Sequence, residues 1–283
     1  MSLNSRALEE YLAGFFKEDD LSRNFHYLNS LPSDTVSCQL KFKDDLVVSG
    51  LPFFFETFNY LTPGCIDYKE FMINEGRDVL KSDNFALHFE LPFNLVLTAE
   101  RIALNLLQKS SSIASYTKKY TDIANKKNIA ILDTRKTTPG HRALEKYSVQ
   151  IGGGKNHRFG QADCWMVKDN HKSFFGGVEK AIKFFKDMNS FYTPIIVEVH
   201  SLAEIDQAVA AGSSHLMLDN FSPEEVKEAV KSKKSGVTFE VSGGIDLNSL
   251  ESYLIDGVDA ISSGSLTYNS PHVDISLKYQ KKL

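Results

Sequence analysis

The chain has 283 residues, of which 42% are hydrophobic and 24% are charged. These proportions exclude a disordered chain, a collagen-like chain and a disulfide scaffold, and the length suits two domains or one large α/β barrel. The formal net charge is −4, from 32 Lys and Arg against 36 Asp and Glu, so the overall charge does not indicate a nucleic-acid partner.

The cysteine content and the N-terminus indicate a cytoplasmic protein with no membrane partner. Cys38, Cys65 and Cys164 are widely spaced and form no C-x-x-C pair, which favours a reducing compartment. The first residues contain acids and lack a basic stretch followed by an apolar segment, contrary to a signal peptide. No run approaches the roughly 20 apolar residues that span a bilayer.

The first third of the chain alternates between predicted helices and short strands. Leu3–Phe16 has the periodicity of an amphipathic helix, and Leu51–Leu61 is a predicted helix with Pro52 in its first turn. Val36–Phe42 alternates apolar and polar residues, as a half-buried strand does. Further strands are predicted at Leu46–Val48, Val79–Leu80 and Phe85–Leu91. This grouping predicts an N-terminal α+β sandwich domain over residues 1–97.

After a long predicted helix at Asn94–Asn125, the chain repeats a strand, a loop and a helix. Short apolar runs stand at Ile129–Leu132, Cys164–Val167, Ile195–Val199, Leu216–Leu218, Val237–Val241 and Val258–Ile261, with a weaker run at Val149–Ile151. Helix starts are predicted by capping boxes at Ser201 and Ser222 and by a similar pattern at Asn248. We predict an α/β domain over residues 98–269, a parallel barrel of about seven strands; an open doubly wound sheet is the alternative.

Polar residues follow every strand of this predicted barrel, where a parallel barrel places its active site. The cations among them and on the nearby glycine-rich loop are Arg135, Lys136, Arg158 and Lys168. Between residues 133 and 172 there are eight Lys or Arg and four Asp or Glu, so this segment is basic within an acidic chain. Arginine recognises carboxylate or phosphate through its planar fork, so the pattern predicts anionic substrates.

Two acids and two glycine-rich loops complete the pattern. Glu198 and Asp219 end neighbouring predicted strands, and such a pair either holds Mg²⁺ through oxygen ligands or faces a developing positive charge. Ser242-Gly243-Gly244 and Ser263-Gly264-Ser265 follow the last two strands, and late barrel loops of this kind often bind phosphate. A polyanion with carboxylates and a phosphorylated partner are therefore the expected substrates.

The stretch from Ile151 to Arg158, IGGGKNHR, is a glycine-rich loop without a standard nucleotide motif. Asn156 occupies the position where a Walker A loop needs Ser or Thr. His157 and His171 either act as acid or base or only orient their neighbours, and they form no metal-binding pattern. His26, His88, His200, His215 and His272 carry no motif and are interpreted as structural. No G-x-S-x-G elbow is present.

Seven segments, in the same order along the chain, resemble segments of one family. They are TAERIALNLLQKSSSIAS (98–115), DTRKTTPGHRALEKYSVQIGGGKNHRFG (133–160), KDNH (168–171), VEV (197–199), MLDNF (217–221), VSGGI (241–245) and LTYNSPHVDISLKY (266–279). In these segments the chain is similar to quinolinate phosphoribosyltransferases, the carboxylating nicotinate-nucleotide pyrophosphorylases. Ser112 in place of a usual Gly and Tyr268-Asn269 in place of a usual His-Ser are departures that remove no candidate catalytic group.

The resemblance implies a fold, a reaction and an assembly. The fold is an N-terminal α/β sandwich, rejoined by residues 270–283, followed by an open seven-stranded α/β barrel. The reaction joins quinolinate to 5-phosphoribosyl-1-pyrophosphate with Mg²⁺, giving nicotinate mononucleotide, pyrophosphate and CO₂ in NAD synthesis. The assembly is a homodimer with shared active sites, or a larger oligomer such as a hexamer.

The resemblance also assigns residues to roles. Substrate contacts are expected from Arg101, Thr134, Arg135, Lys136, His157, Arg158, Lys168, Glu198 and Asp219, with Arg101 donated across the dimer interface. Lys136, Lys168, Glu198 and Asp219 are the expected catalytic residues, and the two acids are expected to hold Mg²⁺ directly or through water. The 5-phosphate is expected at Ser242, Gly243, Gly244, Ser263, Gly264 and Ser265.

Three alternatives are open at this point. The first is a paralogous pyrophosphorylase of the same fold that acts on another substrate. The second is a non-catalytic ligand-binding barrel, which the intact set of charged residues disfavours. The third is a nicotinate-specific, ATP-coupled relative, which the several cations expected to recognise two carboxylates disfavour.

Overall fold

The computed structural model describes residues 5–188 and 190–281. The chain divides into two compact units. Met1–Ser115 and Ser270–Leu283 form the first, which we call the antiparallel unit, and Tyr116–Asn269 form the second, the parallel unit. The predicted helix start at Leu3 and Asn4 lies outside the described residues.

The secondary structure follows the predicted elements closely. In chain order, the α-helices of the described residues are α1 (Ser5–Glu18), α2 (Leu21–Ser30), α3 (Leu51–Leu61), α4 (Phe93–Ala124), α5 (Arg142–Ile151), α6 (Asp169–Phe175), α7 (Val178–Met188), α8 (Leu202–Ala210), α9 (Pro223–Lys231) and α10 (Ser265–Tyr268). The strands are β1 (Thr35–Phe42), β2 (Leu46–Val47), β3 (Asp78–Val79), β4 (Ala86–Pro92), β5 (Ala130–Leu132), β6 (Trp165–Val167), β7 (Ile195–Val199), β8 (His215–Asp219), β9 (Thr238–Ser242), β10 (Ala260–Ser262) and β11 (Ile275–Lys281).

The antiparallel unit contains a three-stranded sheet in the order β11-β1-β4. Both neighbours run antiparallel to β1, with Cys38 opposite Tyr279 on one side and Phe89 on the other. Alternate residues of β1 are buried, as the alternating pattern predicted, because successive side chains of a strand point to opposite faces. Residues 275–281 of the C-terminal segment are thus part of the sheet that contains β1.

Helix α3 supplies aromatic side chains to the core of the antiparallel unit. Its predicted bounds are confirmed, with Pro52 in the first turn, where the missing amide hydrogen leaves no helical bond unmade. Phe54, Phe55 and Phe58 are fully buried. The rings of Phe54 and Phe55 meet Phe89 of β4 nearly edge-on, a favourable arrangement for aromatic pairs.

The parallel unit contains a six-stranded, fully parallel sheet in the order β5-β10-β9-β8-β7-β6. The predicted strand at Val149–Ile151 is wrong, because these residues form the last turn of α5. A three-residue apolar run cannot distinguish a buried helical turn from a strand, and Val149 is buried on the same helix as Leu144. At the edge of the sheet formed by β5, an isolated parallel bridge joins Leu132 to Lys155.

Helix caps fix the chain directly after two of these strands. The Ser222 hydroxyl accepts the Glu225 amide while the Glu225 carboxylate accepts the Ser222 amide, which completes the predicted capping box. Ser201 caps α8 in the same way, but the Glu204 carboxylate accepts the amide of His200 instead. The pattern at Asn248 precedes only a 3₁₀ turn, Leu250–Tyr253.

The helices of the described residues differ from membrane-spanning helices. None of them combines the length and the apolar character that crossing a membrane requires.

Candidate active site

Asp133, the first residue after β5, is fully buried and binds three groups. Its carboxylate contacts the buried Lys146 ammonium, accepts the Asn156 amide at 2.6 Å and accepts the backbone N–H of His157 at 2.8 Å. Burial raises the pKa of the Asp133 carboxyl and lowers the pKa of Lys146, and the contact between the two opposes both shifts. Asp133 therefore anchors the glycine-rich loop to the end of β5 and does not itself face a ligand.

The glycine-rich loop is held close to its neighbours. At Gly154 a Cβ atom would lie 2.7 Å from Val149 Cγ1 and 3.0 Å from Thr117 Cγ2, so only glycine fits this approach. Lys155 pairs its backbone with β5, because its amide donates to the Ile131 carbonyl at 2.8 Å. The loop thus delivers His157 and Arg158 to the carboxyl ends of the strands.

A pocket of about 360 Å³ lies at these carboxyl ends, and we call it the cationic pocket. Its lining consists of Thr134, Arg135, Lys136, His157, Arg158, Met166, Lys168, Glu198, Met217, Asp219, Ser242 and Ser262. All of these except Met166, Met217 and Ser262 are predicted site residues. The structure therefore brings together side chains from the end of the glycine-rich loop and from six strand ends.

The arginines of the pocket retain donors for a ligand. Arg158 donates to the Cys164 carbonyl at 3.0 Å and approaches Met166 Sδ at 3.7 Å, and burial lowers the pKa of its guanidinium. Three buried atoms of pocket residues have no hydrogen-bond partner within the described ranges: Arg135 Nε, His157 Nε2 and Ser262 Oγ. Buried polar atoms are nearly always satisfied in native proteins, so these atoms point to a bound polar ligand.

The two predicted acids converge on one side of the pocket. Glu198 is nearly buried and its Oε2 accepts Lys168 Nζ at 2.7 Å. Asp219 accepts the side-chain amide of Asn220 at 2.8 Å. Ligand atoms of Glu198, Asp219 and His200 all lie within 4.8 Å of one another. Two converging carboxylates are the oxygen donors that Mg²⁺ uses together with substrate phosphates.

His200 is a residue near the site that sequence reasoning missed. Its Nε2 lies 3.3 Å from Asp219 Oδ2 and 3.7 Å from Glu198 Oε1. It carries no motif, but it is the first residue after β7, so the rule that site residues follow strands could have found it.

His157 and His171 have different surroundings. The His157 Nδ1 accepts the Arg158 amide at 2.7 Å, and its Nε2 lies 3.4 Å from Glu240 Oε2. Glu240, inside β9, was not predicted. His171 Nδ1 accepts the Lys168 amide at 2.9 Å and its ring packs edge-on against Phe185. His171 therefore orients the start of α6, which is the second of the two roles left open for it.

The glycine- and serine-rich loops tie strand ends together. At Gly243, φ is +109°, and a Cβ atom would lie 2.7 Å from the Asn220 amide nitrogen, so glycine is required where β8 and β9 end. The hydroxyls of Ser263 and Ser265 are buried, and both donate to the Ile245 carbonyl. Of the six predicted phosphate-binding residues, only Ser242 lines the cationic pocket.

Arg101 lies on α4 within the antiparallel unit and is exposed. It does not line the cationic pocket. Its expected contribution from a second subunit stays a prediction.

Comparisons with known proteins agree on one family. The model of the quinolinate phosphoribosyl transferase C-terminal domain matches residues 113–278. The probable nicotinate-nucleotide pyrophosphorylase [carboxylating] of Bacillus subtilis is 33% identical over 275 residues, covering 97% of this chain and 94% of that protein. The Rattus norvegicus nicotinate-nucleotide pyrophosphorylase [carboxylating] is 36% identical over 271 residues, covering 93% and 88%.

The fold comparison gives the same result. The solved structure of the nicotinate-nucleotide pyrophosphorylase from Francisella tularensis matches with a TM-score of 0.85 and 31% identity, covering 99% of this chain and 98% of that one. Family model, full-length relatives and fold coincide, and five of the seven segments that carry the sequence resemblance contribute residues to the cationic pocket. The chain belongs to the quinolinate phosphoribosyltransferase family.

Proposed function

We propose that the protein transfers phosphoribosyl from 5-phosphoribosyl-1-pyrophosphate to quinolinate with loss of CO₂, giving nicotinate mononucleotide and pyrophosphate for NAD synthesis. The observation that carries this proposal is the cationic pocket itself. It collects Arg135, Lys136, Arg158 and Lys168 around two carboxylates at the carboxyl edge of a parallel sheet. Both substrates are polyanions that repel each other in water, and a concentrated cationic site allows them to be held side by side.

Quinolinate carries two carboxylates on adjacent ring carbons. Arg135 and Arg158 offer planar guanidinium groups that match a carboxylate, and Lys136 and Lys168 offer point charges. His157 and Thr134 also line the pocket and add further hydrogen-bonding groups. Arg135 Nε and His157 Nε2 make no hydrogen bond among the described residues, although His157 Nε2 lies 3.4 Å from Glu240 Oε2, and they are the atoms best suited to donate to this ligand.

The chemistry moves charge in two steps. The pyridine nitrogen bonds to C1 of the ribose while the bond from C1 to the pyrophosphate oxygen breaks. Glu198 and Asp219 face the positive character that develops at C1 and stabilise it electrostatically. The resulting pyridinium nitrogen then stabilises the electron pair left on C2 when the adjacent carboxylate departs as CO₂, and C2 takes up a proton.

Mg²⁺ is the expected metal, and the converging oxygens of Glu198 and Asp219 fit it. These two acids would hold the ion directly or through water. When bound, the ion neutralises pyrophosphate charge and so assists its departure. Lys168, paired with Glu198 at 2.7 Å, keeps that carboxylate oriented toward the pocket.

The 5-phosphate is proposed to bind at the loops after β9 and β10. Ser242 lines the pocket, and the space at the Cβ position of Gly244 is open, which leaves room for a phosphate to approach the backbone there. Ser263, Gly264 and Ser265 form the neighbouring loop. Because the two serine hydroxyls are bound to Ile245, this loop contributes through its backbone and by supporting Ser262.

The fine architecture is part of the proposal. We propose that residues 98–269 form an open barrel in which the bridge at Lys155 occupies the seventh strand position, and that residues 1–97 with 270–283 form an α/β sandwich. We also propose a homodimer, or a larger assembly such as a hexamer, in which Arg101 of the partner subunit completes each site.

Quinolinate turnover is the decisive experiment. Purified protein, quinolinate labelled in its 2-carboxylate, phosphoribosyl pyrophosphate and Mg²⁺ should release labelled CO₂ and form nicotinate mononucleotide in equal amounts. Nicotinate replaces quinolinate in the matched control and should not be used. Turnover of nicotinate without turnover of quinolinate would reject the proposal.

Hybrid dimers test the shared site. Arg101→Ala chains are mixed with Lys136→Ala chains, each inactive alone, after reversible dissociation. One site of each hybrid then has Arg101 and Lys136 intact, so part of the wild-type activity should return. Absence of rescue in samples shown to contain hybrids would contradict the cross-subunit role.

A further inference from the structure

A chain of four side chains leads from helix α8 to the acids of the cationic pocket. Glu204 contacts Lys172, Lys172 contacts His200, and His200 faces Asp219. We call this chain the His200 relay. Lys172 and Glu204 have no role in the substrate contacts described above, and neither lines the pocket.

Lys172 is an interior member of the relay and is held on both sides. Its side chain is 6% exposed, and its Nζ lies 2.8 Å from Glu204 Oε2 and 2.8 Å from His200 Nδ1. A lysine ammonium has three donors and no acceptor. At 2.8 Å, His200 Nδ1 must therefore present its lone pair and accept a hydrogen bond from Lys172.

This contact decides which ring nitrogen of His200 carries the proton. A neutral imidazole holds one hydrogen, so acceptance at Nδ1 places the hydrogen on Nε2. That nitrogen lies 3.3 Å from Asp219 Oδ2 and 3.7 Å from Glu198 Oε1. The backbone is fixed too, because the His200 amide donates to Glu204 Oε2 at 2.8 Å.

We propose that His200 is a positioning residue, locked by Lys172 as the Nε2–H tautomer, which turns that hydrogen toward Asp219 at 3.3 Å and does not ligate the metal. A metal ligand would need a free lone pair on Nε2, and the Lys172 contact removes it. The inference rests on the proposed function, because it assigns His200 to the geometry of the acids that face C1.

The tautomer is measurable without turnover. In protein labelled with ¹⁵N at the histidine rings, long-range ¹H–¹⁵N spectra distinguish the Nε2–H form from the Nδ1–H and doubly protonated forms. His200→Gln identifies the signals by their loss. The wild type should show the Nε2–H pattern at His200, and Lys172→Met should change it. An Nδ1–H or doubly protonated His200 in the wild type would overturn the proposal.

A pair of amide variants separates the two ring positions. Gln places its amide nitrogen near the position of Nε2, whereas Asn reaches only near Nδ1. We expect His200→Gln to keep kcat within a few-fold of the wild type. We expect His200→Asn and His200→Ala to lower kcat by about 10-fold to 100-fold, the usual effect of losing a group that orients a ligating side chain. KM for quinolinate should stay unchanged in all three.

His215→Ala is the matched control. His215 begins β8 and contacts Thr238, whereas Asp219 ends the same strand, so this variant should retain wild-type kcat. Equal kcat losses in His200→Gln and His200→Asn would also overturn the proposal. If the wild type does not use quinolinate while the Nε2–H pattern and its response to Lys172→Met persist, the proposed function fails and the lock by Lys172 is upheld.

Discussion

The parallel sheet has a pocket at each end, and the two are nearly equal in size. The cationic pocket at the carboxyl ends measures about 360 Å³, and the pocket at the amino ends measures about 370 Å³. The lining of the second pocket is mainly apolar and contains no Lys or Arg; its polar members are His215, Thr238, Glu240 and Asp259. We call it the apolar pocket.

The candidate active site is distinguished from the second pocket by the chemistry of its lining residues and not by its volume. Two pockets of the same size differ in that only one collects cations, converging carboxylates and several buried polar atoms without partners. The parallel arrangement of the strands explains this difference between the two pockets. The carboxyl ends of the strands lead into loops that can carry a site, whereas at the amino ends helices complete the core. Variants at the two ends should therefore fail in different ways.

Phe239→Ala at the apolar pocket should have the largest effect, and on stability alone. Phe239 is 1% exposed, and truncating a buried Phe to Ala usually costs about 3–5 kcal/mol of unfolding free energy. Urea unfolding measures the loss, and KM for both substrates should remain at the wild-type value at temperatures where the variant is folded. A large rise in either KM would break the division between the two ends.

Glu198→Gln at the cationic pocket should lower kcat and leave the stability of the fold close to that of the wild type. Loss of one preorganised electrostatic group typically lowers kcat by about 100-fold to 1,000-fold, and the Lys168 partner of Glu198 is left without its counter-charge. Single-turnover CO₂ release measures the effect. An active variant with wild-type kcat would remove Glu198 from the chemistry, and an unfolding midpoint far below that of the wild type would assign it to the fold.

Arg158→Ala sharpens the comparison within the cationic pocket. A hydrogen bond to a charged group contributes about 1.5–3 kcal/mol. The transition-state stabilisation derived from kcat/KM for quinolinate should therefore decrease by that free energy for each bond lost. Arg142→Ala is the matched control, because Arg142 is also an arginine near the loop but donates to Thr137 and the Phe159 carbonyl. Equal losses in both variants would attribute the effect to loop structure.

Asp246 offers the smallest effect and shows that a charge at the carboxyl edge need not serve the pocket. Hydrogen bonds from the Ser249 amide and hydroxyl lower the pKa of the Asp246 carboxyl below its usual value. An acid whose pKa is lowered in the folded state stabilises the fold at pH values above its unfolded-state pKa. This stabilisation is lost as the pH falls through the folded-state pKa.

The unfolding midpoint of wild type should therefore exceed that of Asp246→Asn near pH 6, and the difference should shrink toward pH 3. KM values should not change, because Asp246 does not line the cationic pocket. A difference that is independent of pH would remove the charge of Asp246 as its cause.

Most strands and helices could be predicted because their signals are local. Ile195–Val199 and Leu51–Leu61 match their predicted bounds, since an apolar run and a proline-started helix need no distant partner to be recognised. Val149–Ile151 failed because three residues carry too little periodicity. The ring of polar strand ends predicted the cationic pocket because parallel strands bring their ends to one edge.

Roles that depend on several elements could not be predicted. His200 matters only because Lys172 from α6 and Asp219 from β8 meet it, and no spacing in the sequence encodes that meeting. Asp133 looked like any polar strand end, yet its burial with Lys146 makes it an anchor. The hydroxyls of Ser263 and Ser265 resembled phosphate ligands, yet both bind Ile245.

The close approach of Gly243 to Asn220 has a consequence for redesign of the site. Asn220 holds Asp219 through its side-chain amide and also bonds through its backbone N–H to the Ser242 carbonyl. A side chain at position 243 would push on Asn220 and so displace Asp219 and Ser242 together. Asp219 and Ser242, for which we propose roles toward the ribose and the 5-phosphate, therefore move as one unit when position 243 is substituted.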